Sequence, residues 1–328
     1  MGSQTACQVP VVDFTDEELK PGTAMWASAC QVIRSALEDH GCFYALYHKV
    51  PMDLYNSVFT LMEELFDLPL ETKMQKTSDK PYHGYYGQKV HVPLYESLGI
   101  NDPLTMEGVQ EFTKLMWPPG YDHFSETLSL YAKLLVELDH MTKRMVFDGY
   151  GLDQRHCDSL LESTKYMLRS FKYRLPQEDE NNLGLHAHTD TSFFTILHQN
   201  NVNGLQVKLK NGEWIDTDPS PFMFLILAGD AFKVGHFSHV WSNDRIHCCE
   251  HRVIISAKKE RYSMGLFSLG GKIIQTQEEL VDEEHPIRYK PFDHYEYLRF
   301  YATKKALESE CRIKAFCGID NLPMKNEN

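Results

Sequence analysis

The sequence is short of positive charge, of closely spaced cysteine pairs and of long apolar runs, and each shortage removes a class of function. Its 328 residues hold 33 Lys and Arg against 46 Asp and Glu, a formal net charge of −13. Phosphate backbones and anionic membrane surfaces attract clustered Lys and Arg, so no nucleic-acid and no membrane partner is expected. The eight cysteines, Cys7, Cys30, Cys42, Cys157, Cys248, Cys249, Cys311 and Cys317, form no Cys-x-x-Cys pair. Adjacent Cys248 and Cys249 have poor bite geometry for zinc and read as small buried hydrophobes. The opening Met-Gly-Ser-Gln-Thr carries no charged leader before an apolar core, and apolar runs such as Phe222–Ala228 fall far below the roughly 20 residues that span a bilayer. The expectation is a soluble, cytoplasmic monomer with reduced thiols.

What the chain does hold is length enough for a sizeable core without disulfide support. Val9–Phe14 reads as a strand, and the spacing of Trp26, Ala29, Ile33 and Leu37 predicts a helix that stops at Gly41. Cys42–Tyr47 reads as a strand and 53–66 as a second helix ended by Leu68-Pro69. The aromatic, glycine-rich segment Lys80–Gln88 predicts a loop that either touches a ligand or packs its own rings. After the break at Trp117-Pro-Pro-Gly120, the stripe Leu128, Tyr131, Leu135, Leu138, Met141 and Met145 marks one buried face of a long helix.

Beyond about Tyr166 the periodicity changes to that of strands. Leu205–Ile215 alternates around Asn211-Gly212, a strong hairpin signal, and Phe222–Leu227, Arg252–Ser256 and Arg261–Phe267 add further strands. Many short strands in about a hundred residues predict a double-sheet jelly roll. A closing helix is expected over 293–307. The chain therefore reads as one compact unit, mainly β with flanking helices: a helical N-terminal region with a few strands (1–165), a double-stranded β-helix core (166–275) and a C-terminal helical tail (276–328).

The chemistry centres on Leu183–Leu197, where His188 and Asp190 stand two residues apart on a predicted strand and so point the same way. An imidazole and a carboxylate on one point are two thirds of a facial metal triad. Sixteen histidines compete for the third place, and His251, at the start of a strong strand in the β region, is the one the fold would return to the same barrel mouth. His186 shares strand parity with the pair and is its nearest rival, whereas His198, His236, His239 and His247 default to structural or solvent-facing roles. Further on, Arg261 and Ser263 form another same-face pair. A planar guanidinium fork beside a hydroxyl suits a carboxylate, and a deeply placed Arg asks for an anionic partner, here proposed to be the far carboxylate of 2-oxoglutarate.

The elements Leu183-Gly-Leu-x-x-His-Thr-Asp190, His251-Arg-Val and Arg261-x-Ser263 resemble the signature of plant 2-oxoglutarate- and Fe(II)-dependent dioxygenases. The resemblance runs over nearly the whole chain, through Pro10-Val-Val-Asp13, His40-Gly-Cys-Phe43, Pro81-Tyr-His-Gly84, Val92-Pro-Leu-Tyr-Glu-Ser97, Leu280–Pro286 and Pro291-Phe-Asp-His294. Gly204-Leu-Gln-Val207 and Phe316-Cys-Gly-Ile319 look most like the AOP-like branch. The resemblance implies Fe(II) held by His188, Asp190 and His251. It implies 2-oxoglutarate as co-substrate against Arg261, Ser263 and Tyr173, with ascorbate as an accessory reductant. O2 and a small specialised metabolite or hormone would be consumed by hydroxylation, desaturation, ring formation or demethylation, with release of succinate and carbon dioxide.

Two positions depart from the family pattern. Phe171 stands where many relatives carry an asparagine, and Gly235–Val240, with His236 and His239, reads as an insertion before the His251 strand. Three alternatives follow: a catalytically silent ligand-binding relative whose metal site the insertion has spoiled, a superfamily oxidase that does not use 2-oxoglutarate, and a zinc hydrolase on the same ligands. Tyr85, Tyr86, Phe193 and Phe232 are candidates for an apolar pocket, with core packing the competing reading for each.

Overall fold

The computed structural model describes residues 9–319 apart from 232–241, 243, 244, 257, 272, 288, 302, 310 and 311. The inserted stretch Gly235–Val240, with His236, His239 and nearby Phe232, lies outside the described residues. The chain enters on β1 (Val11–Asp13), an edge strand parallel to β2 (Cys42–Leu46). Between them, α1 (Ala24–Asp39) starts where the Thr23 side chain accepts from the Trp26 amide at 3.1 Å, and it buries Trp26, Cys30, Ile33, Ala36 and Leu37. Each fully buried Leu or Ile on such a face contributes about 1.5–3 kcal/mol. Gly41 ends the helix with a φ of 70°, a conformation costly for any residue with a Cβ.

Next come α2 (Met52–Asp67), α3 (Leu70–Met74), β3 (Tyr95–Asn101) and α4 (Met106–Met116). The proline pair after Trp117 has no N–H to continue that helix, and the chain restarts as α5 (Asp122–Gly149). This helix buries Leu128, Tyr131, Leu135, Leu138 and Met145 along one face. It also carries a buried ion pair, Lys143 Nζ to Asp139 Oδ2 at 2.7 Å, and Tyr166 donates its hydroxyl to the same oxygen at 2.6 Å. That network fixes α5 against the first residues of the β core, reached through α6 (Gln154–Ser163).

Eight strands follow: β4 (Lys165–Tyr173), β5 (Leu183–His188), β6 (Phe194–Gln199), β7 (Leu205–Lys208), β8 (Trp214–Asp216), β9 (Met223–Ala228), β10 (His251–Ile254) and β11 (Arg261–Leu269). They divide between a seven-stranded sheet, ordered β1-β2-β9-β6-β11-β4-β3, and a four-stranded sheet, β5-β10-β7-β8. Strand parity sorts the side chains. Leu168, Tyr262, Met264 and Leu266 join the helices in one apolar cluster. Phe171, Tyr173 and Phe267 face the other way and pack with Leu205, Val207 and Val253 of the second sheet. The jelly roll is thus a two-sheet sandwich with helices covering the outer face of the larger sheet.

The hairpin read over Leu205–Ile215 forms, and one other local expectation is corrected. β7 pairs antiparallel with β8 through Lys208 and Trp214, and the Leu209 amide donates to the Glu213 carbonyl at 2.9 Å, so the loop closes over 210–212. Asn211 Oδ1 accepts the Glu213 amide at 2.9 Å there, and Gly212 takes a φ of 86°. The closing helix expected over 293–307 is broken into α7 (His294–Tyr301) and α8 (Lys304–Leu307), followed by α9 (Arg312–Cys317). The cause is Thr303, whose extended backbone and side-chain bond to the Ala306 amide at 3.2 Å make it the cap of a new helix. No helix among the described residues is long and apolar enough to cross a membrane.

Candidate active site

β5 and β10 pair antiparallel with His188 directly opposite His251, so the ring centroids lie 4.3 Å apart. Asp190 is not on the strand, as parity had suggested: β5 ends at His188, and the carboxylate is brought back by the turn that follows. That turn is tied by the Asp230 amide donating to Asp190 O at 2.5 Å and the Ala231 amide to Ser192 O at 3.1 Å. Gly229 permits the approach, since a Cβ there would sit 2.3 Å from Ser192 O and 2.9 Å from Asp190 O. The result places Asp190 Oδ1 3.7 Å from His188 Nε2 and 3.8 Å from His251 Nε2.

The remaining ring nitrogens settle the tautomers. His188 Nδ1 donates to the His186 carbonyl at 2.8 Å and His251 Nδ1 to the Cys249 carbonyl at 3.1 Å. Both Nε2 atoms therefore turn unprotonated lone pairs towards Asp190. Burial, and then the neighbouring His251, push the His188 pKa down to about 4, which keeps the ring neutral. Asp190 Oδ2 is buried without a hydrogen-bond partner. One ligand atom from each of the three residues lies within 4.8 Å of the others. Two imidazoles facing a carboxylate with an orphaned oxygen are a donor set that fits a divalent first-row metal and leaves coordination positions open.

On the opposite sheet Arg261 is fully buried, 1% exposed, and no carboxylate among the described residues pairs with it. Its Nη1 donates to Ser263 Oγ at 3.1 Å and its Nη2 to Gln199 Oε1 at 2.5 Å, while Nε has no partner. Tyr173 stands opposite Arg261 in the β4–β11 register, and the guanidinium lies 5.1 Å from its ring centroid. Burial lowers the Arg261 pKa and raises that of Tyr173, so both are held where a dianion would repay the desolvation. These residues fit the far carboxylate of 2-oxoglutarate.

One cavity of about 340 Å³ takes in both groups, with His188, Asp190 and His251 in its lining together with Arg261, Ser263 and Tyr173. Its remaining wall is largely apolar, and the Lys80–Gln88 loop contributes Tyr82, His83 and Tyr86 to it. Tyr86 is thus a pocket residue, whereas Phe193 is core and Tyr85 donates to Glu96 Oε2 at 3.0 Å. Phe171, the departure from the family asparagine, lines the cavity opposite Ser263 in register, so this contact is apolar. His186 reaches the His91 carbonyl at 3.0 Å from the cavity wall; His198 is buried between Tyr131 and the Pro221 carbonyl. Cys248 and Cys249 are buried. Sequence reading missed Gln199, Arg169 and Arg312. Arg169 shares the strand parity of Tyr173, which was the available signal; Gln199 closes a strand that also carries Thr195 and His198, so its polarity did not single it out; Arg312 had no signal, since its helix depends on tertiary packing.

Comparison with known proteins gives the same picture. Residues 164–269 match the model of the 2OG-Fe(II) oxygenase superfamily, and residues 9–118 that of the non-haem dioxygenase in morphine synthesis N-terminal region. The chain is 43% identical over 321 residues to the probable 2-oxoglutarate-dependent dioxygenase AOP1 of Arabidopsis thaliana, covering 95% of this chain and 96% of that one. Among solved structures, the 2-oxoglutarate complex of the Arabidopsis thaliana dioxygenase for auxin oxidation 1 is 29% identical with a TM-score of 0.74, covering 85% of this chain and all of that one. JOX2 in complex with 2OG, Fe and JA is 26% identical with a TM-score of 0.73, over 90% of this chain and 85% of that one.

Proposed function

The chain belongs to the 2-oxoglutarate- and Fe(II)-dependent oxygenase family, and from that premise we propose that it oxidises a small plant specialised metabolite or hormone, foremost by hydroxylation, with His188, Asp190 and His251 as the iron ligands. The observation that carries this reading is a buried, unneutralised Arg261 in the same cavity as a two-histidine, one-carboxylate cluster. A dianionic co-substrate would repay the cost of burying that charge. When bound, Fe(II) and 2-oxoglutarate together supply oxidation of an unactivated C–H bond by O2, with succinate and carbon dioxide as co-products. Desaturation, cyclisation and demethylation draw on the same chemistry.

The chain's own residues do the holding and the shielding. His188 and His251 offer Nε2 lone pairs because backbone carbonyls take their Nδ1 protons. Asp190 adds the negative charge that a divalent ion requires. Arg261 and Ser263 bind the far carboxylate of the co-substrate, Gln199 holds the guanidinium in place, and Tyr173 lies against it. Leu205, Val253 and Phe171 exclude water around that pair. Exclusion of water strengthens each of these polar contacts.

The working division remains 1–165, 166–275 and 276–328, with strands of the first part completing the larger sheet. A cytoplasmic monomer that binds neither nucleic acid nor membrane is supported by the net charge of −13 and by the buried thiols of Cys30, Cys42, Cys157 and Cys249. Ascorbate would serve as an accessory reductant. The test is a screen of plant metabolites for succinate release that requires both Fe(II) and 2-oxoglutarate: stimulated release by one small-molecule class supports the reading, and stimulation that persists in Asp190→Ala overturns it.

A further inference from the structure

The charge inside the cavity is opposite to that of the chain. Among the described residues lining it, Arg169, Arg261 and Arg312 are positive and Asp190 is the one carboxylate, a balance of +3 − 1 = +2 with neutral histidines. A divalent ion and a 2-oxoglutarate dianion cancel, so the loaded cavity still carries +2 in a protein of net charge −13. Arg261 is committed to the co-substrate. Arg169 is committed to the fold: it donates to Ser97 Oγ at 2.6 and 3.2 Å and to the Tyr82 carbonyl. Arg312 is different. Its guanidinium lies 4.0 Å from the Tyr301 ring centroid, and no carboxylate or carbonyl among the described residues takes its donors.

Tyr301 in turn donates to the carbonyl of Thr189, the residue between two of the triad positions, at 3.2 Å. A single tyrosine side chain thus separates the unpaired guanidinium from the ligand turn. Met167, Leu185 and Leu298 add apolar surface to the same cavity lining. Resting on the oxygenase reading above, we propose that the primary substrate is a small amphipathic anion, an apolar body bearing one carboxylate or sulfonate group, and that Arg312 is the residue that binds this group. A planar guanidinium whose carbon lies 4.0 Å from an aromatic ring centroid keeps its N–H groups available as a two-donor fork, the geometry that suits an oxyanion. The positive charge of Arg169, also in the cavity lining, adds to the preference, because partly buried charges are screened less than exposed ones.

The test uses the anaerobic Fe(II)- and 2-oxoglutarate-loaded protein and a set of aryl and alkyl carboxylates and sulfonates, each paired with its neutral carboxamide or sulfonamide. Binding is measured by calorimetry, and the 2-oxoglutarate-dependent absorption band is recorded in the same samples. At least one acid is expected to bind about tenfold or more tightly than its amide, and the preferred pair names the anionic group. Arg312→Gln should bring that ratio close to one, while Arg312→Lys, which keeps the charge without the fork, should retain a reduced preference; neither should alter the band. Amides that match their acids, a ratio that survives in Arg312→Gln, or a set in which no acid binds at millimolar concentration would each overturn the inference. Loss of the band in the unsubstituted protein would instead overturn the oxygenase reading beneath it.

Discussion

Replacing Arg261 by Met separates what the arginine does for binding from what it does for folding, and the two effects run on different scales. In the folded protein the guanidinium is buried against Ser263, Gln199 and Tyr173 with no counter-charge. Substituting a buried ionic group by an apolar one of similar volume is neutral or stabilising by about 1–4 kcal/mol. Against this, Gln199 Oε1 loses its donor inside the core, which costs about 1–3 kcal/mol. The unloaded protein should therefore change in stability by no more than about 3 kcal/mol in either direction. Removing one partner of a desolvated charge pair with the co-substrate costs about 2–5 kcal/mol of binding, a loss of affinity from about 30-fold to several thousandfold. Urea unfolding of the metal-free protein gives the first quantity; anaerobic titration of 2-oxoglutarate into Fe(II)-loaded enzyme gives the second. An Arg261→Met enzyme with unchanged 2-oxoglutarate affinity, or one so unstable that it does not fold, would refute the reasoning.

Asp190→Ala removes the only charged donor of the triad and should abolish iron retention on a desalting column, which metal analysis of the eluate reads directly. Gly229→Ala forces a Cβ against Ser192 O and Asp190 O, so the ligand turn must shift; metal affinity should fall by about tenfold or more, and an unchanged titration would show that the turn is not held this way. Lys143→Met leaves Asp139 as a buried, half-partnered charge, with an expected loss of about 3–5 kcal/mol in denaturant unfolding. Burial pushes the His198 pKa from 6.5 down to about 4. The unfolded chain therefore binds a proton first as pH drops, and stability that is complete above pH 6.5 is lost towards pH 4, by about 3 kcal/mol from this group. His198→Gln should flatten that acid limb by one proton, and an unaltered slope would count against it.

How much of this was legible in the sequence differs by element. α1 and α5 were readable because an apolar stripe at helical spacing both predicts the helix and creates the face that buries it. The Leu205–Ile215 hairpin was readable from period-two patterning and Met223–Ala228 from a short continuous apolar run. β3 was not, because Tyr95–Asn101 alternates weakly and joins the sheet only through its pairing with β4. In the site, Arg261 and Ser263 share a face as strand parity requires. His188 and Asp190 converge for another reason, a turn made possible by the backbone contacts of Gly229 and Asp230, which no local pattern announces. Arg312 lies beyond both kinds of signal: its role comes from α9 folding back onto Tyr301 and the cavity.

The central claim is that one cavity couples the His188–Asp190–His251 cluster to a 2-oxoglutarate clamp at Arg261. With a substrate from the metabolite screen and Fe(II)-loaded protein, product and succinate should form in equal amounts and should both vanish when 2-oxoglutarate is omitted. Product formation that continues without 2-oxoglutarate would contradict the account.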